Sequence, residues 1–555
     1  MAIASAVNDA TTPVDSRVPT RTAYSAITAA AGIVAAALLF VNLGFYPFWG
    51  DEADTVIIAQ GVWRTGDTSA WYGDNLYAYR GGTLLKHFKN RSVPPAAYYL
   101  VAPFYGAFGP DHFALRAVFA ALALATVALV GHWLYRVRAG LGASALILFS
   151  LALNVSFLLY GRQCRYYALA TLLTVGIAYL YDRYAGSRLR LAALAAALVL
   201  LAATHYMHFA AAVGALVVDY ALFGRRRYRL SRSEWALLLA PVAIAVAGLV
   251  WLYNPIGKHS SGEELPPGNF WFERAKLFYW SLRDLNACEY GVGLVMAAAP
   301  LVAWWRRSPT LIRLFLAGLV YVGVTTLVSP QPVARALEAD IRYLAPLIPL
   351  CVALTVLTID RMLGGRLWLA GPLVALCVGS NILHLPWDRL AWRSTIAEFA
   401  HELRKPRVVA GRVVADWLKA HAQPGATAWV TPGEWVAEPM VEAPQVVYGW
   451  QLEHDVDDPR RAAEYAALPT IHFAGQVPVD YIVAYGFGNL PTTAIDHVRE
   501  VVIPAMAERG FRYEQAASLD VYFDDRTRPE LFWHWFRDQP YDRNERNIVI
   551  FQLQK

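Results

Sequence analysis

Long apolar segments recur along most of this chain and fix the class of structure that it can adopt. The hydrocarbon core of a bilayer is about 30 Å thick, and a helix needs about 20 apolar residues to cross it. About eleven segments approach that length, near residues 23–45, 113–135, 141–160, 166–182, 190–207, 209–223, 235–254, 290–305, 311–329, 343–359 and 367–386. Only 17% of the residues are charged and 57% are hydrophobic, so the sequence predicts a polytopic α-helical membrane protein.

Arginine is concentrated in alternate connections between these segments, which the positive-inside rule assigns to the cytoplasm. The arginines of these connections and of the N-terminal tail are Arg17, Arg21, Arg136, Arg138, Arg183, Arg188, Arg190, Arg225, Arg226, Arg227, Arg229, Arg232, Arg306, Arg307, Arg313, Arg361 and Arg366. The rule predicts a cytoplasmic tail over residues 1–22, a transmembrane domain over residues 23–386 and a first outer loop over about residues 46–111. The rule also supports the omission of residues 98–109 from the predicted spans. This short aromatic stretch is interpreted as interfacial, because an additional span here would invert every later orientation and move the Arg-rich connections to the outside.

Residues 387–555 have an ordinary soluble composition and are numerous enough for one domain. The pattern predicts helices over residues 413–422 and 494–509 and strands over residues 426–430, 479–484 and 547–552. The second strand runs into a turn at residues 486–488. Alternating strands and helices indicate a small α/β domain, and the span count places it outside the cytoplasm.

Three acids follow the first apolar segment directly, in the stretch Asp51-Glu52-Ala53-Asp54. Carboxylates are costly inside hydrocarbon, so these acids mark the membrane edge. Adjacent residues of a helix point about 100° apart, which makes one acid a candidate general base and the other a supporting group. The alternative is that all three acids cap a helix starting near Ala53, since acids stabilise helix N-termini.

Cationic side chains also gather at the predicted outer ends of the spans. Arg162 and Arg165 are three residues apart, which would place them on one helical face. Such residues often snorkel or cap helix ends. Cations from separate outer connections can instead bind the phosphate of a lipid head group, and we favour this interpretation for Lys86, Arg162, Arg165, His205 and Arg342.

Other classes of site have weaker support in the sequence. No Gly-rich phosphate loop and no basic, aromatic-interleaved patch stands out, so we expect neither a nucleotide cofactor nor nucleic acid as a partner. His87, His205, His208 and His259 could join an acid around a divalent metal, but their spacing matches no metal motif, and metal dependence stays open. The four cysteines show no C-x-x-C spacing, and a bridge between Cys164 and Cys288 stays open because both are predicted to be outside.

Several short motifs resemble those of the GT-C membrane glycosyltransferases. They are the Asp-Glu-Ala of the first outer loop (Asp51, Glu52, Ala53), a Pro-Pro-x-x-Tyr-Tyr segment (Pro94, Pro95, Tyr98, Tyr99) leading to Ala114-Leu115-Arg116, and a late Arg-Tyr-Leu-x-Pro-x-x-Pro (Arg342, Tyr343, Leu344, Pro346, Pro349). The most similar branch is the bacterial one that contains the aminoarabinose-to-lipid A transferase and the protein O-mannosyltransferases. The resemblance covers residues 25–385 and implies an enzyme of the bacterial inner membrane whose donor is a sugar on a polyprenyl phosphate.

This resemblance implies a role for particular residues. It makes Asp51 the general base with Glu52 in support, leaves Asp54 as a helix cap, and places Arg342 and Tyr343 near the donor phosphate. The expected activity is inverting transfer of a sugar to a hydroxyl of a glycolipid, a cell-wall polysaccharide or a protein on the periplasmic side. The rival hypotheses are a flippase for lipid-linked sugars, which would want ionisable residues near mid-span, and a non-catalytic scaffold that binds a cell-wall polymer.

Overall fold

A computed structural model describes residues 20–82, 85–253, 270–289, 291–329, 341–386, 392, 394–404, 410–452, 465–486, 493–520 and 547–554. These residues divide into two compact units. The first unit contains the described residues up to Asn42 and those between Ala117 and Arg404. The second contains residues 43–116 and the described residues from 410 onward.

The first unit is built from helices. They are α1 (Arg21–Phe40), α4 (His112–Arg136, from Ala117), α5 (Leu141–Ala152), α6 (Val155–Gly161), α7 (Tyr167–Asp182), α8 (Arg188–Thr204), α9 (Tyr206–Asp219), α10 (Arg225–Arg227), α11 (Arg232–Tyr253), α12 (Phe270–Cys288), α13 (Val292–Trp305), α14 (Pro309–Val328), α15 (Ile348–Met362), α16 (Leu367–Gly379) and α17 (Thr395–Arg404). A π-helical turn (Tyr220–Gly224) continues α9, and a 3-10 turn (Ile341–Leu347) precedes α15.

Each of the eleven predicted segments coincides with one or two of these helices. Within the described residues, six helical segments are long and apolar enough to cross a membrane, and two bent pairs, α5 with α6 and α12 with α13, raise the number to eight. The bend between α5 and α6 is 55° and has a local cause, because the Asn154 side chain accepts the Phe157 N–H at 2.8 Å and starts a new helix. The protein is therefore a multi-pass membrane protein with at least six spans.

A charged network joins the ends of four helices of the first unit. Arg313 at the start of α14 donates to both carboxylate oxygens of Asp219 at the end of α9, at 2.7 and 2.5 Å. Asp182 at the end of α7 accepts the indole N–H of Trp133 near the end of α4 at 3.0 Å, and its charge acts on Arg313, which links the two pairs. These ends belong to the Arg-rich connections that the charge rule assigns to the cytoplasm, so the network brings together connections predicted to share one side.

A five-stranded mixed sheet forms the core of the second unit. Its strand order is β6-β5-β7-β9-β8, where β5 is Thr427–Thr431, β6 is Val447–Tyr448, β7 is Tyr481–Tyr485, β8 is Arg512–Asp520 and β9 is Asn547–Gln554. The strand β5 is parallel to both β6 and β7, whereas β9 is antiparallel to β7 and β8. The helices are α18 (Ala410–His421), α19 (Ala437–Glu442), α20 (Ala494–His497) and α21 (Ile503–Glu508), with a π-helical turn (Val498–Val502) joining the last two.

The predicted C-terminal α/β domain is confirmed, with all three predicted strands and both predicted helices present. The edge strand β8 was not predicted, because its sequence is mostly polar and its side chains are largely exposed. Part of the predicted turn at residues 486–488 lies outside the described residues.

The boundaries of the compact units differ from the predicted domains, because the first outer loop packs with the C-terminal sheet. This loop contains α2 (Gly50–Thr65), two small hairpins, β1–β2 (Trp71–Tyr72, Asn75–Leu76) and β3–β4 (Leu85–Lys86, Lys89–Asn90), and α3 (Ala96–Phe108). The Asn75 side chain accepts the Tyr448 N–H at 2.7 Å and donates to the Val446 carbonyl at 3.1 Å. These hydrogen bonds pair backbone groups at the outer edge of β6. Leu76 and Leu85 share a small apolar core with Leu452.

Two stretches excluded from the predicted spans are helical. The helix α3 covers most of residues 98–109, and its 13 residues correspond to about 20 Å, which is less than the hydrocarbon thickness. The helix α12 lies in a predicted outer connection and was missed because its many aromatic residues are mixed with Arg, Lys, Glu and Asp. The rest of that connection, residues 254–269, lies outside the described residues.

Candidate active site

The acidic stretch of the first outer loop opens the helix α2. Trp49 is the N-cap residue in an extended conformation, and the Glu52 carboxylate accepts the Trp49 N–H at 3.4 Å. The C-cap residue is Gly66, which adopts the left-handed conformation (φ 74°). Glycine adopts this conformation more readily than other residues and therefore often ends a helix. Asp51 and Glu52 therefore occupy the first turn, where the helix dipole favours negative charge.

Glu52 is held in a buried ion pair with Arg116, which lies near the start of α4. The Glu52 side chain is fully buried and the Arg116 side chain is 4% exposed. Arg116 Nε donates to Glu52 Oε1 at 2.8 Å, and Nη2 donates to Glu52 Oε2. Such bidentate pairing fixes orientation as well as distance, so Glu52 acts as an anchor of the helix start.

Arg116 also fixes the backbone that leads into α2. Its guanidinium donates to the carbonyls of Leu43 (3.2 Å), Tyr46 (2.7 Å) and Pro47 (2.8 Å) and lies over the ring of Phe48 at 5.0 Å. Sequence reasoning gave this arginine no role, although a cation beside an apolar span is itself a signal of function or pairing. The structure shows Arg116 organising the turn directly before Asp51.

Asp51 differs from its neighbour in exposure. The Asp51 side chain is partly exposed, whereas Glu52 is buried against Arg116. The backbone carbonyl of Asp51 accepts the Thr55 hydroxyl at 3.0 Å, which keeps the residue within the helix. Of the two adjacent acids, Asp51 is thus the more exposed.

The prediction that Asp54 caps the helix is wrong. The helix starts at Gly50, so Asp54 lies within its second turn and is buried. Its carboxylate faces the Asn90 amide at 3.5 Å and the Tyr98 hydroxyl at 3.4 Å. These contacts tie α2 to the β4 strand and to α3, and they give Asp54 a packing role inside the loop.

Lys86 has an exposed side chain and lies in the hairpin β3–β4 of the second unit. The turn residues His87 and Phe88 both have positive φ, 52° and 54°. Non-glycine residues adopt this conformation at a cost, and such positions are frequent at functional sites. Lys86 is therefore presented on a strained turn, and its predicted contact with a phosphate stays a prediction.

The first unit contains an aromatic cluster that includes three of the other predicted cations, Arg165, His205 and Arg342. Arg165 lies over the ring of Tyr166 at 5.5 Å and Arg342 over the ring of Tyr343 at 5.3 Å. The His205 ring lies 4.4 Å from Tyr166 and 6.1 Å from Tyr343, and the charges of both arginines act on it. The structure therefore brings four predicted residues, Arg165, His205, Arg342 and Tyr343, to one place.

Sequence reasoning missed two members of this cluster, Tyr166 and Tyr321, and named His208 only as a possible metal ligand. Tyr166 contacts both His205 and His208, and the Tyr321 hydroxyl lies 3.0 Å from His208 Nδ1. His208 Nε2 and His205 Nδ1 are buried and have no hydrogen-bond partner among the described residues. Buried polar atoms normally have partners, so this cluster has unused capacity for a polar ligand. The pairing of His208 with Tyr321 joins residues 113 positions apart, a separation that no local pattern reveals.

Arg162 has contacts of a different kind. Its Nη1 donates to the carbonyls of Leu38 and Leu39 at 2.7 and 3.0 Å, near the end of α1. Residues 162–166 are not helical, so the inference that Arg162 and Arg165 share a helical face is wrong. The contacts of Arg162 correspond to the alternative interpretation, in which an arginine caps a helix end.

The structure also describes all four cysteines and the metal-binding residue types. Cys164, Cys288, Cys351 and Cys377 are buried and form no disulfide. Among the described residues, no group of three or more His, Cys, Asp or Glu side chains is arranged to hold a metal ion.

Comparison with known proteins identifies the fold. No protein-family model matches the chain, and no curated protein sequence matches it significantly. Solved structures do match, among them ArnT from Cupriavidus metallidurans bound to undecaprenyl phosphate, with a TM-score of 0.55 at 13% identity. The match covers 96% of this chain and 98% of ArnT. The chain has the GT-C fold.

The apo state of the same ArnT gives a similar result, with a TM-score of 0.53 at 14% identity over the same shares of both chains. The GT-C fold predicted from the short motifs is thus confirmed, although the two sequences are only 14% identical. The match extends through the C-terminal part, where no motif was found. The GT-C fold accounts for both the helical membrane part and the sheet domain.

Proposed function

We propose that this protein is an inverting glycosyltransferase that moves a sugar from a polyprenyl-phosphate donor to an acceptor hydroxyl outside the cytoplasm. The observation that carries the proposal is the anchoring of Glu52 by Arg116, which makes Asp51 the more exposed acid at the start of α2. The GT-C fold supports it, since ArnT of the same fold was solved with undecaprenyl phosphate.

Asp51 is the general base of the proposed reaction. Its carboxylate accepts the proton of the acceptor hydroxyl while that oxygen attacks the anomeric carbon from the face opposite the phosphate, which inverts that carbon. A base must be held in one position to act in this way. The bonds from Arg116 to Glu52 and to three preceding carbonyls hold the turn that carries Asp51.

The leaving group is a lipid phosphate whose negative charge grows as the glycosidic bond breaks. Positive charges that are fixed in advance stabilise this charge in the transition state. We assign this role to Arg165 and Arg342 of the first unit, whose charges both act on His205, with Tyr343 beside them. A phosphate contact of Lys86 stays a prediction. A lipid-linked donor carries its own activated bond, so this chemistry needs no nucleotide.

The acceptor is proposed to be a hydroxyl of a glycolipid, a cell-wall polysaccharide or a protein, and the enzyme is placed in the bacterial inner membrane with its active face periplasmic. The Arg-rich helix ends that meet around Asp219 and Arg313 support this orientation, because such connections are normally cytoplasmic.

The experiment uses the purified protein in liposomes that contain undecaprenyl-phosphate sugars with a radiolabelled sugar. The donors tested are aminoarabinose, arabinofuranose, galacturonic acid and mannose derivatives. The proposal predicts that at least one donor loses its sugar to an acceptor extract or to water. Intact labelled donor that crosses the bilayer without cleavage would identify a flippase, and neither reaction with any donor would favour a scaffold.

A further inference from the structure

The short helix α19 of the C-terminal domain presents two acids to the first outer loop. Glu438 and Glu442 are four residues apart and therefore lie on the same helical face. Both contact residues that lie more than 300 positions earlier in the chain. Sequence patterns gave no sign of either contact.

Glu438 holds the start of α2. Its Oε1 accepts the N–H of Gly50 at 3.0 Å, and the residue is 5% exposed. Gly50 is the first residue of α2 and directly precedes Asp51. A carboxylate bound to an N-terminal amide of a helix is a charge-assisted contact that the helix dipole strengthens.

Close packing fixes the position of Glu438 from the other side. A Cβ atom at Gly411, in α18, would lie 2.2 Å from Glu438 Oε2, so the glycine lets α18 approach this carboxylate closely. The Glu438 carboxylate thus lies between the starts of α2 and α18.

Glu442 reinforces the same region through His112, the first residue of α4. Its Oε1 lies 2.5 Å from His112 Nε2, and the His112 ring packs on Phe48 at 4.6 Å. Burial acts to raise the pKa of Glu442, but the hydrogen bond with His112 and its charge hold the pKa below its ordinary value. The two acids of α19 thus contact both neighbours of Trp49, Gly50 directly and Phe48 through His112.

We propose that Glu438 is a positioning residue for Asp51, so that the C-terminal domain is part of the catalytic machinery. The inference rests on the proposed function, since it takes Asp51 as the general base. Glu438 acts on Asp51 through the Gly50 amide. A displacement of about 1 Å in a reacting group can lower the rate about 100-fold, so losing this bond should act mainly on the chemical step.

The kinetic test compares three variants in the full-length reconstituted protein with a lipid-phosphate sugar. Glu438→Ala should lower kcat by about 10- to 100-fold with the donor KM changed less than about twofold. Glu438→Gln should retain kcat within a few-fold, because its amide oxygen can still accept the Gly50 N–H. Glu434→Ala is the matched control, since this exposed acid has no hydrogen bond or ion pair with any residue that the structure describes, and it should behave like the wild type.

A parallel rise of KM in Glu438→Ala, or a glutamine variant as slow as the alanine variant, would overturn the proposal. If the alanine variant does not fold, Glu438→Asp replaces it, because the shorter side chain draws the carboxylate away from Gly50 by about one bond length. A lower kcat at unchanged KM in the aspartate variant supports the proposal, and an unchanged kcat refutes it.

Hydrogen exchange separates this inference from the proposed function. The amides of residues 48–55 should exchange at least about 10-fold faster in Glu438→Ala than in Glu434→Ala, whatever reaction the protein performs. If exchange is faster in Glu438→Ala but the wild-type protein transfers no sugar, the result supports the positioning contact and rejects the transferase. Equal exchange in the two variants would reject the positioning role itself.

Discussion

At the scale of single residues, burial separates two acids that the sequence makes look equivalent. Glu52 is fully buried and bound by a guanidinium, whereas its neighbour Asp51 is partly exposed. The sequence alone indicates that one acid is the base and the other a supporting group, because the side chains of adjacent helical residues point about 100° apart. It could not identify Arg116 as the partner, since that contact joins residues 64 positions apart.

Removing the partner of Glu52 should destabilise the second unit strongly. Arg116→Ala leaves a buried carboxylate unpaired, and breaking a buried pair in this way typically costs about 3–5 kcal/mol. Thermal unfolding of the purified protein should show a lowered Tm together with lost transfer. Arg91→Ala is a suitable comparison, because its ion pair with Asp67 is partly exposed and should matter less. A Tm for Arg116→Ala equal to that of Arg91→Ala would contradict the assigned role of the buried pair.

The variant Arg342→Ala should weaken the binding of the donor more than the binding of the acceptor. Arg342 belongs to the cluster around His205, which we assign to the lipid phosphate. We expect the donor KM to rise about 10-fold or more and the acceptor KM to stay within about twofold, as measured by initial rates at varied concentrations of each substrate. Arg307→Ala, at the opposite helix ends in the predicted topology, serves as the control. Equal losses for both substrates would remove Arg342 from donor binding.

At the scale of elements, local patterns predicted what depends on local composition. Apolar length located a helix in each of the eleven predicted segments, of which six to eight spans are long and apolar enough to cross a membrane, and the sequence also located the strands β5, β7 and β9. The helix α12 and the strand β8 were missed because their aromatic or polar sequences carry neither signal. The aromatic cluster of the first unit could be named only in part, because helix packing decides which of its members meet.

The attachment of the β3–β4 hairpin to the end of α2 should depend on pH. Asp67 follows α2 and accepts from Lys89 at 2.7 Å and from Arg91 at 2.9 Å. Burial acts to raise the pKa of Asp67, but these bonds and the Thr68 amide lower the pKa to about 2. Because an unfolded aspartate titrates near pH 4, the stabilisation is complete above about pH 4 and is lost as the pH falls toward about 2.

The variant Asp67→Asn tests this pH dependence. At pH 7 its Tm should lie slightly below that of the wild type, and the difference should vanish as the pH approaches about 2. High salt should reduce the difference at pH 7 as well, since the cluster is partly exposed. A Tm difference that does not change between pH 7 and pH 3 would show that the ion pairs contribute nothing.

At the scale of the whole molecule, the division into two units cuts across the chain order. The first outer loop belongs with the C-terminal sheet, because Asn75 completes the edge of β6 and Leu76 and Leu85 share a core with Leu452. No local pattern indicates pairing between segments separated by more than 300 residues. This is the main reason why the sequence predicted the domain types and the fold but not their boundaries.

The C-terminal domain should therefore not fold on its own. We expect residues 406–555, expressed alone, to unfold without a cooperative transition in circular dichroism. The same segment joined by a flexible linker to residues 43–116 should show a sharp transition, because the linker restores the buried partners of β6 and of Leu452. A cooperative transition of equal sharpness in both fragments would contradict this account of the second unit.

The central claim is that Asp51 removes the proton of the acceptor hydroxyl, and the turnover of Asp51→Asn tests it most directly. This nearly isosteric change keeps the helix start but removes the base, so kcat should fall by about 10²- to 10⁴-fold. The Tm should be unchanged, and Asp74→Asn, a change at an exposed acid of the same loop, should keep full activity. An Asp51→Asn enzyme with turnover near that of the wild type would contradict the claim.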